Sequence, residues 1–571
     1  MQQGKVLEIF PVENLRAVVS APPSKAITLR SLFISSLAGG KSKLENALFA
    51  EDQQFAVKAL NSVGANISYK NGSYSVVGSG GLLKAPSKKI FVGNSGVTLR
   101  FLASLCSLAE GKTVIDGSEA MRRRPVGELA AALKRLGVKI SVSGNGFPPI
   151  EVEGKTFRGG TTELDLSTSS QFLSSILLSA PYAESDVKVM VKGIKRSMPF
   201  VDLTLNVMKQ FGVTPTKEED VFSVSAGQEY NARRLSIEGD YANASYFMAA
   251  AAVTGGTVIV KNLKKNSVQG DKVILSILER MGCNVKRSSS EVEVRGASLQ
   301  GIEADLNDAP DLVPTIAVAA AFADGKTVLR NISHLKFKET DRLKALEAEL
   351  RKIGADARAS KDSLEIVGGR KLMGAEIETY NDHRIAMAFS VAGLRLKGIK
   401  ILGPGCVGKT TIGRSLARRL GRSFFDSDDL VVKKAGKSIL EIFKEEGEGK
   451  FREIEAEAIL ELSRKNNAII SCGGGAVLRQ DNVKNLKSSG IVILLKASAE
   501  TIFERIESDN NRPRLTDKSG IEEVRHLLLQ RNRFYDSAKD FEVDTGRNSV
   551  QESVKSIIGF IKEKGVLVEK G

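Results

Sequence analysis

Tryptophan is absent from the 571 residues, histidine occurs three times and cysteine four times. Cys106, Cys283, Cys406 and Cys472 stand far apart with no C-x-x-C spacing, so the chain suggests neither a disulfide framework nor a cysteine zinc site. They read as buried small hydrophobes. His334 and His526 offer no metal constellation. No apolar run approaches a membrane span, and the opening M-Q-Q-G-K-V-L-E-I-F lacks a signal-peptide core. A cytoplasmic protein without a membrane partner is expected. The net charge of +16 could suit nucleic acid, yet the basic residues are scattered and no aromatic-basic RNA-binding pattern occurs. Small, multiply anionic substrates explain the charge better, and no nucleic-acid partner is expected.

What is present begins with length. A chain of 571 residues, 42% hydrophobic and 26% charged, should fold into about three or four compact units. Residues 403–410, G-P-G-C-V-G-K-T, fit the phosphate-loop pattern G-x-x-x-x-G-K-[ST]. An apolar strand over 399–402 leads in and a helix over 411–420 leads out. Gly403, Gly405, Cys406, Val407, Gly408, Lys409, Thr410 and Thr411 are therefore candidate ATP-binding residues. Turned-in N–H groups and the helix start would hold the polyphosphate, Lys409 would reach its outer groups, and Thr410 would hold Mg2+.

A helix-to-strand junction recurs at Gly64, Gly137, Gly212, Gly282 and Gly354, at intervals of 73, 75, 70 and 72 residues. A second marker, an Ala-rich helix ending at glycine before a T-V-I-V-type strand, falls at Gly40, Gly111, Gly256, Gly325 and Gly398, with a weaker match near Ser185. Constant spacing predicts six α/β units rather than an ordinary alternating sheet. The sixth junction arrives at Gly421, inside the phosphate-loop helix.

Ordered motifs fill the first four hundred residues: P-S-K-A-I-T-L-R (23–30), G-N-S-G-V-T-L-R (93–100), M-R-R-R-P (121–125), S-S-Q-F-L (169–173), E-G-D-Y-A-N-A-S-Y (238–246), D-A-P-D (308–311), K-E-T-D-R-L (338–343) and N-D-H-R-I-A-M (381–387). Together they resemble the 5-enolpyruvylshikimate-3-phosphate synthase family, which moves the enolpyruvyl group of phosphoenolpyruvate to shikimate 3-phosphate. The resemblance implies two globules of three α/β units each, 1–22 plus 236–398 forming one and 23–235 the other. It implies shikimate 3-phosphate contacts from Lys25, Arg30, Ser169, Ser170, Gln171, Ser197, Asp311 and Lys338. Phosphoenolpyruvate would meet Lys25, Gly96, Arg124, Gln171, Arg342, Arg384 and Lys409, with Arg100 a further cation. Asp311 and Glu339 stand at the acid/base positions, with Lys25 near the chemistry. Ala26, Val97, Phe101 and Phe200 depart from the usual residues.

Beyond the phosphate loop come F-F-D-S-D (424–428), G-K-F-R-E (449–453), G-G-G-A-V-L (473–478), N-R-P-R-L (511–515) and R-N-R-F-Y (531–535). This set resembles shikimate kinase, a P-loop fold with a parallel sheet between helices. The resemblance implies shikimate binding by Asp428, Arg452, Gly473, Gly474, Gly475 and Arg531, with Asp428 also positioned to take a hydroxyl proton. Mg2+ would meet Thr410 and Asp426, and Arg512 would approach the transferring phosphate from a lid over 508–518.

Residues 1–398 are thus expected to carry the synthase and 399–571 the kinase, giving a bifunctional enzyme for consecutive reactions with shikimate, ATP, shikimate 3-phosphate and phosphoenolpyruvate as substrates. Residues 399–421 resemble both families at once. Lys409 answers both to the synthase's terminal lysine and to the loop lysine, so the segment is expected in the kinase, with the transferase weakened or, as the alternative, reduced to ligand binding. Self-association is left open.

Overall fold

In the computed structural model of the protein, residues 6–380, 382–402, 409–437, 439–500, 502, 521–545 and 550–564 are described. The chain divides into a unit of residues 8–400 and a unit of residues 1–7 with 401–571. The loop residues 403–408 and Arg512 lie outside the described residues, as do the side chains of Lys409, Thr410 and Thr411.

The larger unit repeats one supersecondary design. In one copy, strand Gly160–Asp165 runs parallel to Val187–Lys192, which pairs antiparallel with Val221–Val224, and Thr216–Glu218 closes the edge as a hairpin. Helices Gln171–Ser179 and Pro199–Gln210 complete it. Five four-stranded sheets share this order among the described residues. The five junction glycines all adopt left-handed backbone, φ running from 87° at Gly137 to 114° at Gly64, where a Cβ would strain the helix stop. At the second marker Gly40, Gly111, Gly325 and Gly398 are left-handed too, and only in the Gly256 copy does the residue before it, Gly255, take that form.

The chain crosses between two globules. Strand Arg16–Ser20 pairs with Thr257–Lys261, whereas Arg234–Ser236 pairs with Lys41–Glu45. The crossings are tied side by side: Ser24 N–H donates to Glu238 O and Asp240 N–H to Pro22 O, both at 2.8 Å. One continuous core runs from Ile27 to Ile237. The other globule buries alanine-rich helices Tyr241–Thr254 and Val313–Ala321, whose small side chains permit close packing.

Among the described residues the sixth sheet has three strands, in the order Val6–Ile9, Ile399–Leu402, Glu376–Glu378. Ile399–Leu402, expected with the kinase, stands beside Glu376–Glu378 in this sheet, with Lys400 N–H donating to Ala375 O at 3.0 Å, while the division of the chain after Lys400 leaves Ile401 and Leu402 with the smaller unit.

In the smaller unit, parallel pairs Ser423–Asp426 with Ala468–Ser471 and Ile493–Lys496 with Phe541–Asp544 make two two-stranded sheets. Helix Lys409–Leu420 sends Ile412 and Leu416 into an apolar cluster with Val543, Val554, Ile557 and Ile561. Among the described residues, no helix is long and apolar enough to cross a membrane. Cys106 and Cys283 are buried; Cys472, also expected inside, is half-buried because it follows a strand end.

Candidate active sites

Both globules contribute to a charged cluster in the larger unit. Arg342 opens the helix Arg342–Lys352 and is 1% exposed. Its Nε donates to Asp382 at 2.7 Å, Nη1 to Asp311 at 3.1 Å and Nη2 to Glu339 at 2.6 Å. Arg384, in the first turn of helix His383–Gly393, gives Asp311 a second cation at 2.8 Å. From the other globule, Arg124 lies 3.8 Å from Glu339. This is a lattice of alternating charge, buried at Arg342 and Asp382 and half-buried at Asp311 and Glu339, in which each carboxylate faces at least one guanidinium.

Burial favours the neutral form of Asp311, but Arg384, Lys338, Arg342 and Lys25 outweigh it and hold the carboxyl well below the usual range. Glu339 behaves alike: burial raises it, and Arg342, Arg124 and Lys338 bring it down further. Burial depresses Lys338, partly offset by Asp311. Asp271 is the exception, pushed up to about 8 by burial and by the Asp311 and Asp240 charges. It is 5% exposed and its Oδ1 has no hydrogen-bond partner.

A second group surrounds Gly96 at the start of helix Gly96–Leu105. A Cβ there would meet Arg124 Nη1 at 3.1 Å and Arg100 Nη1 at 3.6 Å. Arg100 donates to Gln171 Oε1 at 2.6 Å, and its buried Nε has no partner. Two guanidinia and a helix start facing a side-chain-free position form an anion cradle.

Not every candidate joins these groups. Lys25 directs its ammonium to Asp52 at 2.6 Å. Arg30 is 1% exposed and donates to Thr204 Oγ1, Ala26 O and Phe200 O at 2.7, 3.1 and 2.9 Å, so most of its fork is used internally. Burial lowers its pKa to about 9. Ser170 is buried, and Ser169 Oγ accepts from Gln171 N–H at 3.3 Å. Ser197 has φ 55°, unusual for a residue with a Cβ, and its N–H donates to Asn307 O in the opposite globule at 3.2 Å.

Sequence reasoning missed Asp382 and Asp271, and left His334 without a role. Asp382 sits in N-D-H-R yet was passed over for its basic neighbour; it is wholly buried and caps its helix by accepting from Arg384 N–H at 2.9 Å. His334 Nδ1 lies 3.1 Å from Arg196 Nη1, a contact across the globules, and its Nε2 is buried without a partner.

In the smaller unit, Asp426 ends its strand and caps helix Ser427–Ala435, accepting from Asp428 N–H at 3.1 Å. Arg452, on helix Gly447–Ser463, donates to Glu455 at 2.8 Å and through Nη2 to Glu448 at 2.8 Å. The three glycines bring backbone against these groups. A Cβ at Gly473 would lie 2.9 Å from Asp428 Oδ1 and 3.1 Å from Glu455 Oε1, and one at Gly475 would lie 2.3 Å from Arg452 Nη1. Tyr535 donates to Gly474 O at 2.7 Å. Glu455, also missed, is 1% exposed with an unpartnered Oε1, and burial raises its pKa. Its spacing of three residues from Arg452 was the available signal. Arg531 is half-buried and acts electrostatically on Glu455.

An acid-bearing cation cluster on paired globules of repeated α/β units, in one chain with a phosphate-loop sequence, defines a transferase of anionic substrates. Residues 9–412 match the EPSP synthase family (3-phosphoshikimate 1-carboxyvinyltransferase), and residues 405–562 match shikimate kinase. The chain is 44% identical over 399 residues to 3-phosphoshikimate 1-carboxyvinyltransferase of Nostoc punctiforme, covering 69% of this chain and 93% of that one. It is 43% identical over 390 residues to the same-named protein of Methanothermobacter thermautotrophicus, covering 68% and 91%. The solved EPSP synthase of Acinetobacter baumannii aligns with TM-score 0.62 and 29% identity over 70% of this chain and 94% of that structure. The chain belongs to the EPSP synthase family and carries a shikimate kinase domain behind it; it is a bifunctional shikimate-pathway transferase.

Proposed function

We propose that the cluster around Arg342 binds phosphoenolpyruvate beside shikimate 3-phosphate and that Asp311 and Glu339 divide the proton chemistry between them. The single observation that carries this reading is that Arg342 joins both acids while Arg384 and Arg124 flank them, which keeps both carboxyls well below the usual range. An ionised Asp311 is ready to take the proton of the 5-hydroxyl as its oxygen bonds to C2 of phosphoenolpyruvate. Glu339 must instead supply a proton to C3. The phosphate and carboxylate of the incoming substrate offset Arg124 and Arg342, which raises Glu339 and lets it bind the proton it donates. The tetrahedral adduct then returns a proton from C3 to the ionised Glu339 and expels phosphate. Gly96, Arg124, Arg100 and Gln171 cradle the phosphoenolpyruvate anion; Ser169, Ser170, Ser197 and Lys338 serve shikimate 3-phosphate. Arg30 reaches that ligand with the N–H groups its internal bonds leave over.

In the kinase, Arg452 and Arg531 pair with the shikimate carboxylate, while Gly473–Gly475 admit the ring and Asp428 orients the 3-hydroxyl. Asp426 fits Mg2+ as a hard oxygen donor at the end of a strand, and the loop sequence offers the Thr410 hydroxyl as a second donor. When bound, that ion neutralises phosphate charge during transfer. The boundary between the activities falls near residues 398–401. A cytoplasmic enzyme with no nucleic-acid partner accords with these small anionic substrates.

A ligand-binding but inert first domain is the weaker reading, because Asp311, Glu339 and their cations are all in place. Carboxyl infrared spectra of uniformly 13C-glutamate-labelled protein test the acid assignment. The Glu339 band, identified with Glu339→Gln, should move toward the protonated form when shikimate 3-phosphate and an unreactive phosphoenolpyruvate analogue bind. A band that stays ionised removes Glu339 as the proton donor.

A further inference from the structure

A strand that feeds a phosphate loop ordinarily belongs to the sheet on which the following helix packs, since strand, loop and helix form one βα unit. Here the two memberships separate. Helix Lys409–Leu420 packs on strands Ser423–Asp426 and Ala468–Ser471 and on helix Val550–Glu563. Its apolar cluster also draws in Ile469, Ile493 and Leu495, one pair of strands supplying the first and the other pair the rest. Ile399–Leu402, seven positions before that helix in sequence, stands instead beside Glu376–Glu378. Lys400 secures it there twice, through the backbone bond to Ala375 and an ammonium contact to Glu376 at 3.2 Å.

The kinase strands carry the mark of a missing neighbour. Among the described residues, Ala468–Ser471 has one ladder partner and Ile493–Lys496 has one. Parallel sheets are normally buried on both faces, and isolated strand pairs are marginal. Ile469, Ile470, Ile493, Leu494 and Leu495 are nevertheless only half-buried, whereas Ile399 and Ile401 are wholly buried where they stand. A parallel strand laid between the two pairs, apolar at three of four positions as Ile399–Leu402 is, would join them into one five-stranded sheet under the helix that already touches both.

We infer that Ile399–Leu402 is a single strand shared by two sheets: it fits between Ala468–Ser471 and Ile493–Lys496, and it leaves Glu376–Glu378 when it does so. The occupant is this chain's own segment, the one that immediately precedes the loop and helix. The loaded kinase and the working transferase then draw on the same four residues, and each activity restrains the other. This inference rests on the two-activity reading above.

The test is phosphate release from shikimate 3-phosphate and phosphoenolpyruvate by the full chain, titrated with magnesium adenosine imidotriphosphate whose binding is followed by equilibrium dialysis. The rate should fall by roughly threefold or more in step with analogue binding, as expected for a strand drawn from one sheet to the other. Hydrogen exchange at 376–378 should rise over the same range. A full chain in which residues 396–421 are repeated after a Gly/Ser linker, so that each sheet has its own strand, should lose the response. A flat rate with flat exchange at saturating analogue overturns the inference, as does an equal fall in the repeat-bearing chain. Absent basal turnover, or absent analogue binding, would instead overturn the functional reading beneath it.

Discussion

Arg342 in the transferase is 1% exposed and holds three carboxylates drawn from separate elements, whereas Arg452 in the kinase keeps 13% side-chain exposure and holds two glutamates of its own helix. The surrounding strands differ in the same sense. Val189, Val258 and Leu364 are buried within transferase strands whose buried and more exposed positions alternate, while the kinase strands carry adjacent half-buried isoleucine and leucine. One site draws Asp311 and Asp382 from 31 and 40 positions away and only Glu339 from nearby; the other is presented by neighbours on one helix, beside strand pairs that have room for another strand.

The sharpest break between the regions should come from Glu339→Gln. It removes the proposed proton donor, so transferase turnover should fall by about 10²- to 10⁴-fold while shikimate phosphorylation is retained. Steady-state assays of each reaction on the same preparation decide this; equal losses in both would show that the sites are not separable.

The converse substitution is Gly475→Ala. Its Cβ would lie 2.3 Å from Arg452 Nη1, so the guanidinium must move. A displacement of this kind should raise the KM for shikimate by about 10- to 100-fold, with transferase kinetics unchanged. An unaltered KM would remove Arg452 from the carboxylate clamp.

Asp382→Asn probes how far buried pairing stabilises the transferase. Asp382 is 0% exposed and meets Arg342 at 2.7 Å, so removing its charge should cost about 3–5 kcal/mol of stability. Denaturant unfolding, with separate probes in each region, should show the loss in the transferase transition. The equivalent change at the more exposed partner of Arg452, Glu448→Gln, should cost much less.

Asp271 gives a pH-dependent effect with a defined sign. Its folded pKa of about 8 lies above the ordinary aspartate value, so between those two pH values the folded state holds a proton that the unfolded state has lost. Stability contributed by this group is therefore present at low pH and declines as pH rises toward 8. Asp271→Asn should flatten that decline, so its melting temperature relative to the parent should improve between pH 5 and pH 8.5. A constant difference across that range would count against the raised carboxyl.

Much of this contrast was legible in sequence, for physical reasons that also mark where legibility stops. Gly64, Gly137, Gly212, Gly282 and Gly354 announce the repeat because a left-handed helix stop favours glycine, and the backbone has that form at all five. Asp311, Glu339, Arg342 and Arg384 are brought together because each motif sits at a helix start or in the loop leading to one. Arg30 shows the limit. Its motif points to substrate, but which N–H groups remain available depends on Thr204 and Phe200, some 170 positions away. The membership of Ile399–Leu402 was equally hidden, since an apolar four-residue strand suits either sheet. Gly403–Gly408 and Arg512 lie outside the described residues, and the loop and lid expectations rest on sequence for their placement.

The most direct test of the two-enzyme account is phosphate release by purified full-length protein given shikimate 3-phosphate and phosphoenolpyruvate, with no ATP present. The account predicts release matched one-for-one by enolpyruvyl product, from the same protein that phosphorylates shikimate when ATP is supplied. A folded protein that phosphorylates shikimate but releases no phosphate in the first assay would contradict it.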